Sequence, residues 1–395
     1  MSAQVEGGIR IEVIQVRDII RFVEEFYRNP AGQVMAPISR QRALGMAHNP
    51  FADPCDPGLI VAYASEKVVA NYGIVPGLLR TREGSSKVLW GSALFVHPDY
   101  RARRVLFDLI RTALSFEVDF VISGFTDAVY QIYKVLGFRE LKPLEVCWLA
   151  VSRLDLFGAA LSLARQRGKI PEPVLKIAGT LTLVTRPLVY RPLRLLYLRW
   201  LAHAARKELA GIAFREVRRV QPAAATPPAS PHFVRGVEGV NWMLKYPWVL
   251  ERETAPGSAS DPFCFFDDLR DSFRYYAIEF DDLRGRFAGY LAFSIQADQA
   301  DGGRRTLKLT DFSVRTERDL AIVFWIAALY TARHQVDHFQ AASAISPFMT
   351  QAPLARFLVH SGPRRYLCHA VKGGRLEKVV GELERQYGDG DCAFT

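Results

Sequence analysis

Residues 9–15 (IRIEVIQ) alternate apolar and polar side chains, the period of a half-buried strand. The period then turns helical: after Asp18, read as an N-cap, apolar residues fall at Ile19, Ile20, Phe22, Val23, Phe26 and Tyr27. Strand-like runs follow at 59–65 (LIVAYAS) and 67–80 (KVVANYGIVPGLLR), with Glu66 in the turn between them. A third run, 87–96 (KVLWGSALFV), stops at His97-Pro98, because proline has no amide hydrogen to give a ladder. From Arg104 the spacing is helical again, through Val105, Leu106, Leu109, Ile110, Ala113 and Leu114. DFVISGF (119–125) reads as a short buried strand. Asp127 is expected to cap a second helix that ends at Gly137, a residue suited to a left-handed C-terminal position. LEVCWLAV is expected to close this block near residue 151. Antiparallel strands followed by helix, strand, helix and strand describe an α+β domain around a mixed sheet.

The next stretch, 152–212, is rich in Leu and Arg and broken by prolines at 171, 173, 187 and 192. Within it RPLRLLYLRWLAHAARK (191–207) mixes bulky apolar residues with Arg191, Arg194, Arg199, Arg206 and Lys207. No uncharged run reaches the roughly 18 residues that a membrane span needs. The segment 186–207 therefore either bridges two domains or lies as a basic amphipathic helix on a membrane surface. After a Pro/Ala-rich loop (221–231) a second unit begins. It shows strands at 286–295 and 305–314 and a helix capped by Thr316, with a stripe at 320, 323, 324, 327, 328 and 331. A strand (VDHFQAAS), a short helix at 353–360 and a strand (YLCHAV) follow. The order of elements repeats the first block, as an internal duplication would. The expected units are 1–151, an insert at 152–212, and 213–395.

A length of 395 residues agrees with two domains, and 49% hydrophobic content excludes a disordered chain. The start, MSAQVEGGIRIE, has no basic segment leading into an apolar one, so a cytoplasmic location is expected, with the inner membrane face as a peripheral site. Five scattered cysteines without metal-ligand spacing imply free thiols and no metal. The net charge of +10 suits a nucleotide-bearing thioester, an acidic carrier protein or a lipid surface. No nucleic-acid motif is present, and no nucleic-acid partner is expected.

Two passages carry chemistry. ALFVHPDYRARRVLFDLI (93–110) resembles the acetyl-CoA motif of the GCN5-related N-acetyltransferases: a strand, V-x-P-x-x-R, then a loop opening a helix. The resemblance implies an acetyl-CoA or other acyl-CoA cosubstrate. Phe95 and Val96 would offer backbone groups to its pantetheine arm. Loop and helix amides would face the pyrophosphate. The chain departs from the family in placing Arg104 and Leu106 where small residues, usually glycine, are found. Arg101, Arg103 and Arg104 would then pair directly with phosphates, beside Val105 and Leu106 at the helix start. VISGFTDAVYQIYKVLGFREL (121–141) resembles the family's closing motif, with a tyrosine four residues before Gly-Phe: here Tyr133 before Gly137-Phe138. The resemblance implies that Tyr133 protonates the departing thiolate, its hydroxyl pointing into a cleft. Tyr130 lies one turn earlier, and Asp127 takes a place where the family often contacts the cofactor arm. No general base is legible.

The resemblance implies two tandem GNAT-like domains, each a mixed, mostly antiparallel sheet flanked by helices, with the second degenerate. RTERDL (315–320) lacks the phosphate motif, and Phe357 and Leu358 stand near the tyrosine position. The implied activity is transfer of an acetyl or longer acyl group to an amine or hydroxyl of a small, glycan-linked or lipid-linked acceptor. An acyl carrier protein is an alternative donor, which would account for a poor phosphate loop. A non-catalytic tandem module docked at a membrane is the alternative from another class.

Overall fold

The structure is a computed structural model; it describes residues 5–6, 8–101, 104–155, 186–222, 230–251, 269–298 and 303–390. The first half holds β1 (Ile9–Gln15), α1 (Ile19–Arg28), α2 (Arg40–Ala47), β2 (Pro57–Ala64), β3 (Lys67–Thr81) and β4 (Gly84–Val96). It continues through α3 (Val105–Leu114), β5 (Asp119–Ser123), α4 (Asp127–Val135), β6 (Arg139–Glu140) and β7 (Leu144–Ala150). The second half holds α5 (Arg191–Glu208), β8 (Phe214–Val217), α6 (Gly236–Lys245), β9 (Ser272–Asp281), β10 (Phe287–Asp298) and β11 (Arg304–Val314). It ends with α7 (Leu320–Arg333), β12 (His338–Ala342), β13 (Val359–Arg364), β14 (Tyr366–His369) and α8 (Arg375–Val379).

The first sheet runs β1-β2-β3-β4-β5-β14-β6, and the second runs β13-β7-β12-β11-β10-β9-β8. Both are mixed. β4 and β5 run parallel in the first, β11 and β12 in the second, and the labelled neighbours otherwise run antiparallel. The α+β class with two similar sheets agrees with the duplication read from the sequence.

The sheets do not follow the sequence boundary at residue 151. β7, expected to close the first sheet, pairs instead with β12 and β13 of the second. β14, late in the chain, enters the first sheet between β5 and β6. The physical reason is that a buried strand must bond its backbone on both edges, and each half supplies the strand that the other lacks. The exchange is reciprocal, since β6 and β13 hold the matching edge positions.

Packing follows in layers. One core joins the two sheets: Val75, Trp90 and Val121 from the first, Ala277, Tyr290 and Ala342 from the second, with Trp242, Met243 and Trp248 between. α3 and α4 cover the outer face of the first sheet. α7 and α5 cover that of the second, α5 burying Tyr197, Leu198, Leu201 and Ala205. α5 therefore roofs one sheet and does not bridge two domains. Two caps also differ from expectation. Asp18 makes no side-chain capping bond, and Thr126, not Asp127, caps α4 by accepting from Val129 N. Gly137 does end α4, at φ +86°.

Residues 1–212 expressed alone lack β14, leaving β5 and β6 unpaired on facing edges. This fragment is expected to show no cooperative thermal transition, whereas the full chain melts in one. A cooperative melt of the fragment, followed by circular dichroism, would contradict the exchange as a requirement for folding.

Candidate active site

β4 and β5 pair only from Val88↔Asp119 to Gly91↔Ile122 and then part. The cause lies on the other edge of β4. The register with β3 jumps from Gly73↔Ser92 to Asn71↔Phe95, so Tyr72 opposes both Ala93 and Leu94. This bulge sets Ala93 at φ +51°, and Asn71 Nδ2 holds it by donating to Ala93 O at 2.9 Å. Gly73 permits the approach, because a Cβ there would lie 2.9 Å from Ser92 O. A V-shaped fork opens beyond Gly91, edged by Leu94, Phe95 and Val96. Among the described residues no strand pairs with β4 there on the β5 side.

Tyr133 reaches the vertex of this fork. Its hydroxyl bonds that of Tyr72 at 2.8 Å, and the Tyr72 hydroxyl presses on Gly91, where a Cβ would stand only 2.0 Å away. The expected open cleft is absent: Tyr133 is 0% exposed and packs on Phe138. Helix α4 lays the ring into the core, and Tyr72 satisfies the one polar atom it brings, as burial demands. Burial pushes the phenol well above its ordinary pKa, with the Tyr72 bond acting the other way, so Tyr133 keeps its proton. Tyr130 sits apart, its hydroxyl donating to Glu140 at 3.3 Å and the Arg365 guanidinium 4.0 Å over its ring.

The remaining predicted residues scatter around the fork. Phe95 is half-buried and Val96 buried on the strand edge. Arg101, expected on phosphate, turns back: its Nε donates to Val96 O at 3.2 Å, and its guanidinium lies 5.8 Å from the Phe95 ring centre. Arg103 lies outside the described residues. Arg104 is exposed at the start of α3, makes no capping bond, and its guanidinium lies over Phe107. Val105 is buried in the outer core, and half-buried Leu106 packs against it. Neither offers a side chain to an anion. Asp127 is fully exposed, 3.6 Å from Arg365, which places it in the Tyr130 cluster. The fork is edged by Leu94, Phe95 and Val96, and the uncapped start of α3 with the exposed Arg104 follows it in the chain.

Sequence reasoning missed a second fork and what fills it. β11 and β12 pair only from Thr306↔His338 to Lys308↔Gln340. The C-terminal segment then enters: Gly388 N donates to Thr310 O (3.2 Å), Gln386 Nε2 to Phe312 O (3.4 Å), and Tyr387 to Gln340 Oε1 (2.8 Å). The chain's own C-terminal segment thus holds the place that the first fork leaves unpaired. Next to it Arg235 faces two buried carboxylates, Asp311 at 3.1 Å and Asp389 at 3.7 Å. Burial raises Asp311 to about 6 and Asp389 to about 7, with Arg235 opposing both shifts. Asp389, Trp90 and Arg235 line a cavity of about 50 Å³ between the sheets. Trp90 and Gly91 face opposite sides of β4, so this cavity lies across the strand from Tyr72. The sequence signal was the Gly-Asp-Gly at 388–390. A Cβ on Gly388 would meet Thr310 O at 2.5 Å, and one on Gly390 the Trp90 ring at 2.5 Å. Among the described residues no cluster suits a metal ion, and Cys55, Cys147 and Cys368 are free.

No protein-family model and no curated protein matches the sequence. Solved structures do. The chain is similar to a GCN5-related N-acetyltransferase from Anabaena variabilis at 12% identity, over 92% of this chain and 73% of that one, with a TM-score of 0.48. A probable N-acyltransferase from Enterococcus faecalis matches at 10% identity, over 92% and 72%, with a TM-score of 0.44. Saccharomyces cerevisiae N-myristoyltransferase with bound myristoyl-CoA matches at 10% identity, over 93% and 80%, with a TM-score of 0.49. The topology, not these overlaps, carries the fold.

Tyr72→Phe leaves the Tyr133 hydroxyl buried without this bond, and Tyr133→Phe removes the same bond from Tyr72; each is expected to cost about 1–3 kcal/mol in denaturant unfolding. The double variant should cost less than the two single losses together; strict additivity would mean that the hydroxyls are not coupled. For Arg235 and its two acids, raised carboxyl pKa values mean that the folded state holds protons the unfolded chain has released. Stability should therefore fall as pH rises from about 4 through about 7. Asp389→Asn is expected to flatten that slope, read from unfolding midpoints at about pH 5 and about pH 8.

Proposed function

We propose that the protein is an acyltransferase whose thioester donor lies in the β4/β5 fork. Its acceptor would approach from the cavity between the sheets. The observation that carries this reading is the contrast between the two forks. The second is filled by residues 386–389, whereas the first has backbone diverging from Gly91 with a protonated phenol at its vertex. Leu94, Phe95 and Val96 would hold an acyl-CoA arm, and Arg104 with the start of α3 its phosphates. Arg101 would join them by exchanging Val96 O for phosphate.

The reaction this supports is direct transfer of an acetyl or longer acyl group. The acceptor amine or hydroxyl attacks the thioester carbonyl, the C–S bond breaks, and Tyr133 Oη gives its proton to the leaving sulfur. Tyr72 would keep that hydroxyl aimed and take up its vacated bond. The acceptor's proton leaves on the cavity side, where Asp389, titrating near neutrality, is the carboxylate available. Small, sugar-linked and lipid-linked acceptors all suit this route, and a carrier-protein thioester would need only the fork and not the phosphate end. The buried Tyr72–Tyr133 pair favours a second reading, a non-catalytic module in which that pair is a structural contact.

Titration with acetyl-CoA and a long-chain acyl-CoA at low ionic strength tests the donor. Binding is expected, weakened about tenfold or more in Arg104→Ala. No binding of either would remove the CoA reading. With an acceptor in hand, Tyr133→Phe should slow transfer by about ten- to a thousandfold and leave donor affinity nearly unchanged, while Tyr130→Phe stays mild. Full turnover in Tyr133→Phe would leave the tyrosine pair a purely structural contact.

A further inference from the structure

Helix α5 buries one face and leaves the other bare. Tyr197, Leu198, Leu201, Ala205 and Leu209 pack into the core of the second sheet. The orientation is pinned at its start, where Arg194 Nε and Tyr190 Oη both donate to Asp337 Oδ1 at 2.8 and 3.1 Å, and Arg194 Nη2 donates to Gln335 O. Arg194 is thereby taken out of the exposed surface. On the opposite face Val189, Leu193, Leu196 and Trp200 follow each other at spacings of four, three and four, a single stripe along the helix. Leu188 and Leu195 are exposed beside them. Leu196 is 60% and Trp200 52% exposed, although leucine and tryptophan at such positions are ordinarily covered. Arg191, Arg199, Arg206 and Lys207 are exposed on the same helix, and 186–207 contains no acid.

The charge says what covers this stripe. In sequence, 156–207 carries ten Lys and Arg against one acid, Glu172, so nearly all of the chain's +10 comes from this region and the remainder is close to neutral. A second copy would bring the same cations against these, and like charges oppose such pairing. An anionic lipid surface offers what the stripe lacks: hydrocarbon for Leu and Trp, and phosphate for Arg and Lys. Trp also favours the boundary between headgroup and acyl chain. Among the described residues no helix is long and apolar enough to cross a membrane, so the contact would be along the surface.

We propose that the exposed face of residues 188–207, formed by α5 and the helical turn before it, docks the protein on an anionic membrane surface. The face lies on the outer side of the second sheet, away from the fork, and acts independently of any turnover. Three versions of the full chain would be co-sedimented with phosphatidylcholine vesicles, with and without phosphatidylglycerol: wild type, Leu196→Glu/Trp200→Glu and Arg191→Ala/Arg199→Ala. Both substituted pairs are solvent-exposed, and unchanged melting by circular dichroism would confirm intact folds.

Wild type is expected to bind the anionic vesicles and to lose binding in high salt. The Glu pair should abolish binding, and the Ala pair should weaken it by roughly fivefold for each cation removed. Three results would overturn the proposal: no binding to anionic vesicles at low salt, equal binding to neutral ones, or unchanged binding by the Glu pair. So would a wild-type dimer, seen by sedimentation, that the Glu pair converts to monomer without any vesicle binding; the stripe would then be a self-interface. Because the readout is sedimentation, its failure is separate from failure of the acyltransferase reading.

Discussion

Strand β7 finds its partners only in β12 and β13, and β14 finds its own only in β5 and β6. Each sheet is therefore completed by backbone from the other half of the chain. An amide or carbonyl left unpaired in these interior strands would cost on the order of 1–3 kcal/mol, and a missing strand would leave a row of them. The single core between the sheets follows from the same exchange, because crossing strands fix the two inner faces opposite each other. Asp119 adds a buckle: its carboxylate, buried at the start of β5, accepts from Val371 N and Leu376 N just after β14.

Each sheet also contains a parallel strand pair that diverges, so the molecule has two forks. In both sheets the register shifts near the fork, at Asn71/Gly73 in one and Ala292/Phe293 in the other. What separates them is occupancy. The C-terminal segment crosses over and bonds Thr310 and Phe312, with Gly388 required because nothing larger fits against Thr310 O. Arg235 and its two buried acids then lock that segment against the sheet. Burying two carboxylates on one guanidinium is costly, and proteins tolerate that cost where position matters. The result is a first fork that no strand fills among the described residues and a second held by the chain's own C-terminal segment.

The polar atoms at the vertex answer to the same economy. Tyr72 and Tyr133 each bring one hydroxyl into an apolar layer and bond each other, which keeps both rings in place. In the proposed transfer an incoming sulfur would have to share or displace Tyr72 to reach the Tyr133 proton. The close approach of Tyr72 to Gly91 leaves little freedom for that ring, so the exchange of partners would fall to the Tyr133 hydroxyl.

The sequence by itself determined most elements of the first half, though not α2 or β6, because strand alternation, the helical stripe at 105–114 and Gly137 all act through near neighbours. It also carried the internal repeat, the V-x-P-x-x-R loop and the position of Tyr133 on its helix. β9, from Ser272 to Asp281, was not read, nor was β13 as a strand, its first two residues being taken for the end of a short helix at 353–360, since both depend on partners distant in the chain. Only the tertiary structure decided which sheet β7 and β14 join, because a strand's pattern fixes its faces but not the identity of its edge partners. The same limit hid the role of Tyr72, whose partner is 61 residues away, and the capture of the C-terminal segment by the second fork. It also hid the turning of Arg101 onto Val96 O. Cationic residues in a loop announce their charge in sequence, but the carbonyl or phosphate that claims each one is settled only by folding.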